Sequence, residues 1–266
     1  MPVYEPRQIR NLVLLGHAGS GKTTLAEAML FACGATSRMG SVPEGNTVSD
    51  FDEAEVQRKF SVFTSMLHAE RDGYKYNVLD TPGYPDFMGE MLAGLYVADT
   101  ALLLVSAVEG VQVGTETAWR ELERLGKPVV LVLNQLDREH ANFERTLEQL
   151  RERFGRAVTA VQFPARQGPG FHQIVDVLLM KLLTFEPGRA EPVRVEPIPA
   201  ELLEQAEALH KELVENIAEH DDALLELYFE KGELSLEEMR AGLRHELLER
   251  TLFPVFCVAA SSAVGV

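Results

Sequence analysis

Eight consecutive residues, Gly16-His17-Ala18-Gly19-Ser20-Gly21-Lys22-Thr23, fit the pattern G-x-x-x-x-G-K-[ST]. The chemistry this spacing serves is polyphosphate binding. Its glycines let backbone N–H groups wrap the anion, and the N-terminus of the helix that follows adds a favourable potential. Lys22 reaches the β and γ phosphates, and the Thr23 hydroxyl is offered to Mg²⁺. Asp80-Thr81-Pro82-Gly83 ends an apolar run. That puts Asp80 at a strand's carboxyl edge, able to bind Mg²⁺ through water, and lets Gly83 bring its N–H to a γ-phosphate with no side chain in the way. Asn134-Gln135-Leu136-Asp137 ends another. The Asp137 carboxylate can accept from guanine N1–H and the 2-amino group, a pair of donors that adenine lacks. The bland readings are a chance glycine turn, a strand-ending turn and a helix cap; the three groups occurring together in one chain favour nucleotide binding.

Such groups need strands that end at one edge of a sheet. Asn11–Leu15 reads as a strand running into the glycine turn, and Thr23–Ala32 as the helix after it, with apolar residues at helical spacing. Residues 34–50 lack periodicity and predict a mobile surface loop. Ser61–Ala69 and Tyr74–Leu79 flank Asp72-Gly73, a hairpin signal. Further strands are expected at Ala101–Ser106, Pro128–Leu133 and Thr159–Phe163, with helices at Phe87–Val97, Gly114–Leu125, Phe143–Phe154 and Phe171–Leu183. Alternating strands and helices with buried apolar strands predict an α/β fold, a mainly parallel sheet with helices on both faces.

From Glu186 the text changes. Residues 186–199 hold four of the thirteen prolines and read as an extended linker. Leu202, Ala206, Leu209, Leu213 and Ile217 mark an amphipathic helix. Two more are expected at Asp221–Glu230 and Leu236–Leu248, the latter opened by a Ser235/Glu238 capping box. Phe253–Ala259 returns to a strand. The chain is thus divided into a P-loop domain at 1–185, an inserted acidic α-rich subdomain at 186–250, and a return to the first domain at 251–266.

The 266 residues carry 25 Lys and Arg against 41 Asp and Glu, a net charge of −16. This argues against direct binding of free nucleic acid. Seven basic against eighteen acidic residues in 186–250 place −11 of that charge there, most simply a solvated face, or else a docking site for a basic partner. The apolar runs are too short to span a bilayer, and the start has no signal-peptide core. Cys33 and Cys257 lack metal or disulfide spacing, which suits a reducing cytoplasm.

With these motifs in place, the chain resembles the GTP-binding domain of translational GTPases, most closely elongation factor G. The likeness rests on the phosphate loop, DTPGYPDF (80–87), VSAVEGVQVGTETAWR (105–120), NQLDR (134–138), NFERTLEQLRERFG (142–155) and LFPVFCVAASSAVGV (252–266). The resemblance implies a P-loop NTPase fold, GTP/GDP and Mg²⁺ as ligands, and hydrolysis of GTP on the ribosome by a cytoplasmic monomer. Gly16 to Thr24 would hold phosphates and Mg²⁺, and residues 34–60 would be the first switch loop. Ser61 would take the place of the threonine that closes over Mg²⁺, and Ala259-Ala260-Ser261 would meet the base. The acidic insert would be a subdomain able to contact stalk proteins, and the chain would be part of a longer protein. Departures from the family are Ala259 for its serine, Gln135 for the lysine of the guanine motif, and Tyr84 for the water-positioning histidine. Catalytic candidates are therefore Lys22, Gly83 and Tyr84, with hydrolysis expected to be slow; the alternative is a GTP-loaded ribosome-binding switch that hydrolyses slowly or not at all.

Overall fold

The structure is a computed structural model that describes residues 4–219 and 221–266. Met1–Val3 of the 1–185 span and His220 of the 186–250 span lie outside the described residues. Strand β1 (Ile9–Gly16) runs into the glycine turn, and α1 (Lys22–Ala32) leaves it. A short helix, α2 (Glu53–Arg58), interrupts the long loop, where no helix was expected. Asp52 and Glu55 form its capping box, a signal present in the sequence. Next come β2 (Ser65–Arg71) and β3 (Tyr74–Asp80), joined at Asp72 (φ 50°) and Gly73 (φ 78°) as the hairpin signal requires. Helix α3 (Met88–Val97), β4 (Thr100–Ser106), α4 (Val113–Leu125), β5 (Val129–Asn134) and α5 (Phe143–Phe154) alternate as expected.

The expected strand at Thr159–Phe163 is two strands, β6 (Val158–Ala160) and β7 (Gln162–Pro164), that belong to different sheets. Nor is Phe171–Leu183 a helix. It forms the hairpin of β8 (Gln173–Asp176) and β9 (Lys181–Thr184), in register Ile174 to Leu183 and Val175 to Leu182. The Asp176 carboxylate accepts the Leu179 N–H at 2.8 Å within the turn, and Met180 takes φ 50°. All four apolar partners are buried. A strand buried on both faces reads as a continuous apolar run, which spacing alone does not separate from a helix. Part of the expected linker is a strand as well, β10 (Arg194–Glu196), paired with β9. Helices α6 (Ala200–Ala218), α7 (Asp222–Lys231) and α8 (Leu236–Glu249) follow, α8 with its Ser235/Glu238 capping box, and then β11 (Phe253–Cys257).

The main sheet has the order β2-β3-β1-β4-β5-β11-β6, parallel throughout except for β2. In β1, Val13 and Leu15 pack into one apolar cluster with Leu95 and Trp119, while Leu14 packs into another with Leu25 and Leu30. That division is the mark of a sheet covered on both faces. The first cluster continues through Ile174 and Val175 into Leu213, Ile217 and Met239, so the second sheet and the acidic helices share the core of the main sheet. Arg151 pairs with Glu212 at 2.5 Å and Arg156 with Glu219 at 2.9 Å along that seam.

Candidate functional site

The carboxyl ends of β1 and β3 bring the phosphate loop against Asp80. Gly21, at φ 93°, caps α1; a side chain there would collide with Asn134, so the turn needs glycine. Lys22 is buried and donates to two carbonyls of its own loop, Gly16 at 3.0 Å and His17 at 3.1 Å. Burial pushes its ammonium down to about 8, against the pull of Asp80. Asp80 accepts from Thr23 at 2.7 Å and from Ser49 at 2.5 Å through one oxygen, while its other oxygen, also buried, has no partner. Burial raises this carboxyl to about 6, opposed by those hydroxyls and by Lys22. Gly83 lies so close to Lys22 and to the Ala18 backbone that a Cβ has no room: it would sit 2.7 Å from the Ala18 nitrogen.

Residues 34–50 form no regular element, yet the segment is tied down. Buried Glu27 of α1 accepts the N–H groups of Gly40 (2.8 Å) and Val48 (2.5 Å), and buried Glu55 accepts those of Val62 and Phe63. Ser61, the expected switch hydroxyl, lies 3.1 Å from the Thr23 hydroxyl and donates to Asp50 at 2.7 Å. Burial raises the Asp50 carboxyl. Ser49, Asp50, Glu27 and Glu55 were not singled out in the sequence.

The hydroxyls of Thr23 and Ser61 and one carboxylate oxygen of Asp80 therefore converge, and the other Asp80 oxygen is buried without a partner. Among the described residues no cluster of three His, Cys, Asp or Glu could hold a metal alone. One carboxylate with hydroxyls is the hard, incomplete donor set that Mg²⁺ uses when phosphates supply the rest, so the residues fit the ion.

At the end of β5, Asn134 donates to the Ser20 carbonyl (2.8 Å) and accepts from Ala260 N–H (3.0 Å). Gln135 donates to the Gly19 carbonyl at 2.9 Å. Asp137 accepts from Ser261 at 2.7 Å, which brings the two expected base-contacting segments together. Ala259 is fully buried and offers no hydroxyl. A cavity of about 350 Å³ reaches Gln135 from the phosphate loop, lined by Ala18, Gly19, Gly21, Lys22, Thr23, Thr24, Ser61, Gly83, Tyr84 and Gln135 among others. His17 instead accepts the Gly114 N–H at 3.2 Å, which ties it to α4, and the Ser20 hydroxyl is buried without a partner. Tyr84 is 42% exposed and meets Phe60 edge-on, ring centres 4.9 Å apart.

A phosphate loop, an aspartate at the neighbouring strand end, and an Asn/Asp pair two strands away on a sheet with one antiparallel edge strand define a P-loop GTPase domain. The chain belongs to the family described as the elongation factor Tu GTP binding domain, which it matches over residues 7–266. It is 37% identical over 263 residues to the elongation factor G-like protein of Mycobacterium tuberculosis (strain CDC 1551 / Oshkosh), an alignment that covers 98% of this chain and 36% of that protein. A protein of known crystal structure from Thermus thermophilus superposes with a TM-score of 0.90 at 36% identity, over 97% of this chain and 38% of its own. The chain thus spans little more than a third of either relative.

Proposed function

We propose that this domain binds GTP and GDP with Mg²⁺ and hydrolyses GTP on the ribosome, as a cytoplasmic monomer whose acidic helices face basic stalk-associated proteins. The observation that carries the reading is the desolvated Lys22 ammonium, held on its own loop carbonyls beside Asp80, Thr23 and Ser61 at the cavity wall. Phosphate oxygens are better acceptors for that ammonium than neutral carbonyls. Lys22 would turn to the β and γ oxygens, the Gly83 N–H would face the γ-phosphate, and Ser61 would close the site from the switch loop. Mg²⁺, held by Thr23, Ser61 and Asp80, would neutralise charge on the phosphates. Asp137 would read the guanine edge, with its Ser261 bond keeping the carboxylate in place.

A second reading, a GTP-loaded switch that turns over slowly, is favoured by Tyr84, whose ring packs on Phe60. Turnover of GTP and of ATP, each with and without ribosomes, tests both readings. GTP-specific turnover that ribosomes accelerate supports the first reading. GTP binding with ribosome association but no turnover supports the second, and ATP displacing labelled GTP at similar concentration overturns both.

A further inference from the structure

Gln135 sits where the resembled family has lysine, and a lysine only donates, whereas an amide must also place an acceptor. The structure supplies a partner for that acceptor. Ser106, the last residue of β4 and 2% exposed, lies with its hydroxyl 2.6 Å from Gln135 Oε1. The same hydroxyl oxygen accepts the N–H groups of Val108 and Glu109, both at 3.2 Å. With its lone pairs so engaged, the hydroxyl proton is directed at Gln135 Oε1. This leaves Nε2 to face the Gly19 carbonyl at 2.9 Å; the flipped amide would set oxygen against oxygen there.

The Gly19 carbonyl shares a peptide plane with the Ser20 N–H, so a hold on one orients the other. Asn134 and Gln135, adjacent at the end of β5, thereby grip adjacent carbonyls of the phosphate loop, Ser20 and Gly19. Asn134 is buried, and its acceptor is fixed by the Ala260 N–H. Gln135 is half-buried at φ 67°, and for its acceptor Ser106 is the partner.

We propose that Ser106 is a positioning residue of the nucleotide site: it fixes the Gln135 amide so that an uncharged Ser106–Gln135 pair braces the phosphate loop where the family uses a lysine. This rests on the guanine-nucleotide reading above. The test is the affinity for a fluorescent GDP analogue with Mg²⁺, measured for Ser106→Ala, Ser106→Thr, Gln135→Ala and Gln135→Lys, and for Ser106→Ala in both Gln135 backgrounds. One neutral hydrogen bond corresponds to about 3- to 10-fold, so Ser106→Ala and Gln135→Ala should each weaken binding by about that factor, and Ser106→Thr should retain wild-type affinity. Placed on Gln135→Ala or Gln135→Lys, Ser106→Ala should cost less than about 2-fold, because no amide is left to orient. A full loss from Ser106→Ala in the lysine background would show that the serine acts only on its own turn and would overturn the proposal, as would an unchanged affinity in the single variant. Failure of the wild-type protein to bind the analogue at all would remove the nucleotide reading itself, an outcome distinct from either.

Discussion

The two halves of the site are built from different materials. On the phosphate side stand buried charges, Lys22, Asp80, Asp50, Glu27 and Glu55, together with two buried atoms that lack partners, Ser20 Oγ and Asp80 Oδ1. On the base side stand amides, hydroxyls and one carboxylate, and Asn134, Gln135, Ser106 and Asp137 each have a hydrogen-bond partner. A buried charge without full compensation is costly in the free protein and gains most when its ligand arrives. Groups already satisfied in the free protein gain less, but they impose geometry. On the nucleotide reading proposed above, the phosphate half would supply affinity and pH dependence, and the base half selectivity.

The largest effect should come from the phosphate half. Lys22→Ala removes the ammonium, and no other Lys or Arg lies within residues 16–23. With charge-assisted hydrogen bonds worth about 1.5–3 kcal/mol each, GTP affinity should fall about 100-fold or more while thermal unfolding of the free protein stays cooperative. Titration calorimetry that found unchanged affinity would dissolve the contrast between the halves.

Asp137→Asn should act on choice of base more than on total affinity. The variant replaces a carboxylate acceptor by an amide, at a cost of about 1–3 kcal/mol toward guanine, or about 10- to 100-fold. Xanthine, which offers an oxygen where guanine has its amino group, should gain. Competition by XDP against labelled GDP reads the switch directly, and a variant that still prefers GDP would move base selection away from this residue.

A smaller effect follows from the raised Asp80 carboxyl. Its folded value of about 6 lies above the ordinary 3.8, so the free folded protein holds more protons than the unfolded chain between those pH values. This contribution to stability is greatest at low pH and is lost as pH rises toward about 6. Mg²⁺ held at Asp80 as proposed would require the carboxylate and so compete with the proton. The rise in Tm caused by Mg²⁺ and GDP should accordingly shrink by a few degrees as pH falls through about 6, and Asp80→Asn, scanned in parallel, should lack that component. A pH-independent rise in Tm would mean that Asp80 does not ligate the ion.

The two halves were also unequally legible in the sequence. Lys22, Thr23 and Asp80 lie in short motifs whose chemistry is local, and the strands that present them end where the apolar runs end. Glu27, and Glu55 in its hold on Val62 and Phe63, accept from backbone N–H groups, a partner every non-proline residue offers, so these roles leave no residue-type signal. Ser106 was hidden for another reason. Its partner lies 29 residues away, just past the end of the neighbouring strand, where pairing of β4 with β5 sets Ser106 opposite Asn134. The β8–β9 hairpin was misread because burial on both faces erased the period-2 alternation that identifies a half-exposed strand.

The smallest effect should come from the Tyr84 hydroxyl, which tests whether catalysis belongs to the phosphate half in full. That hydroxyl has no hydrogen-bond partner among the described residues, whereas the ring packs edge-on against Phe60 at 4.9 Å. If the ring acts only as an apolar cover, Tyr84→Phe should keep single-turnover hydrolysis on ribosomes within about 2-fold, a difference too small for a lost proton-transfer group, which typically costs about 100-fold or more. Tyr84→His in the same assay should raise the rate, because it restores a side chain that can hold a water and share a proton while leaving Lys22 and Asp80 in place. A large loss on going to Phe would give the hydroxyl a role in holding water. A rate that fell with His would mean that the aromatic contact to Phe60 closes the phosphate half and that the wild-type protein is already tuned to its own rate of turnover.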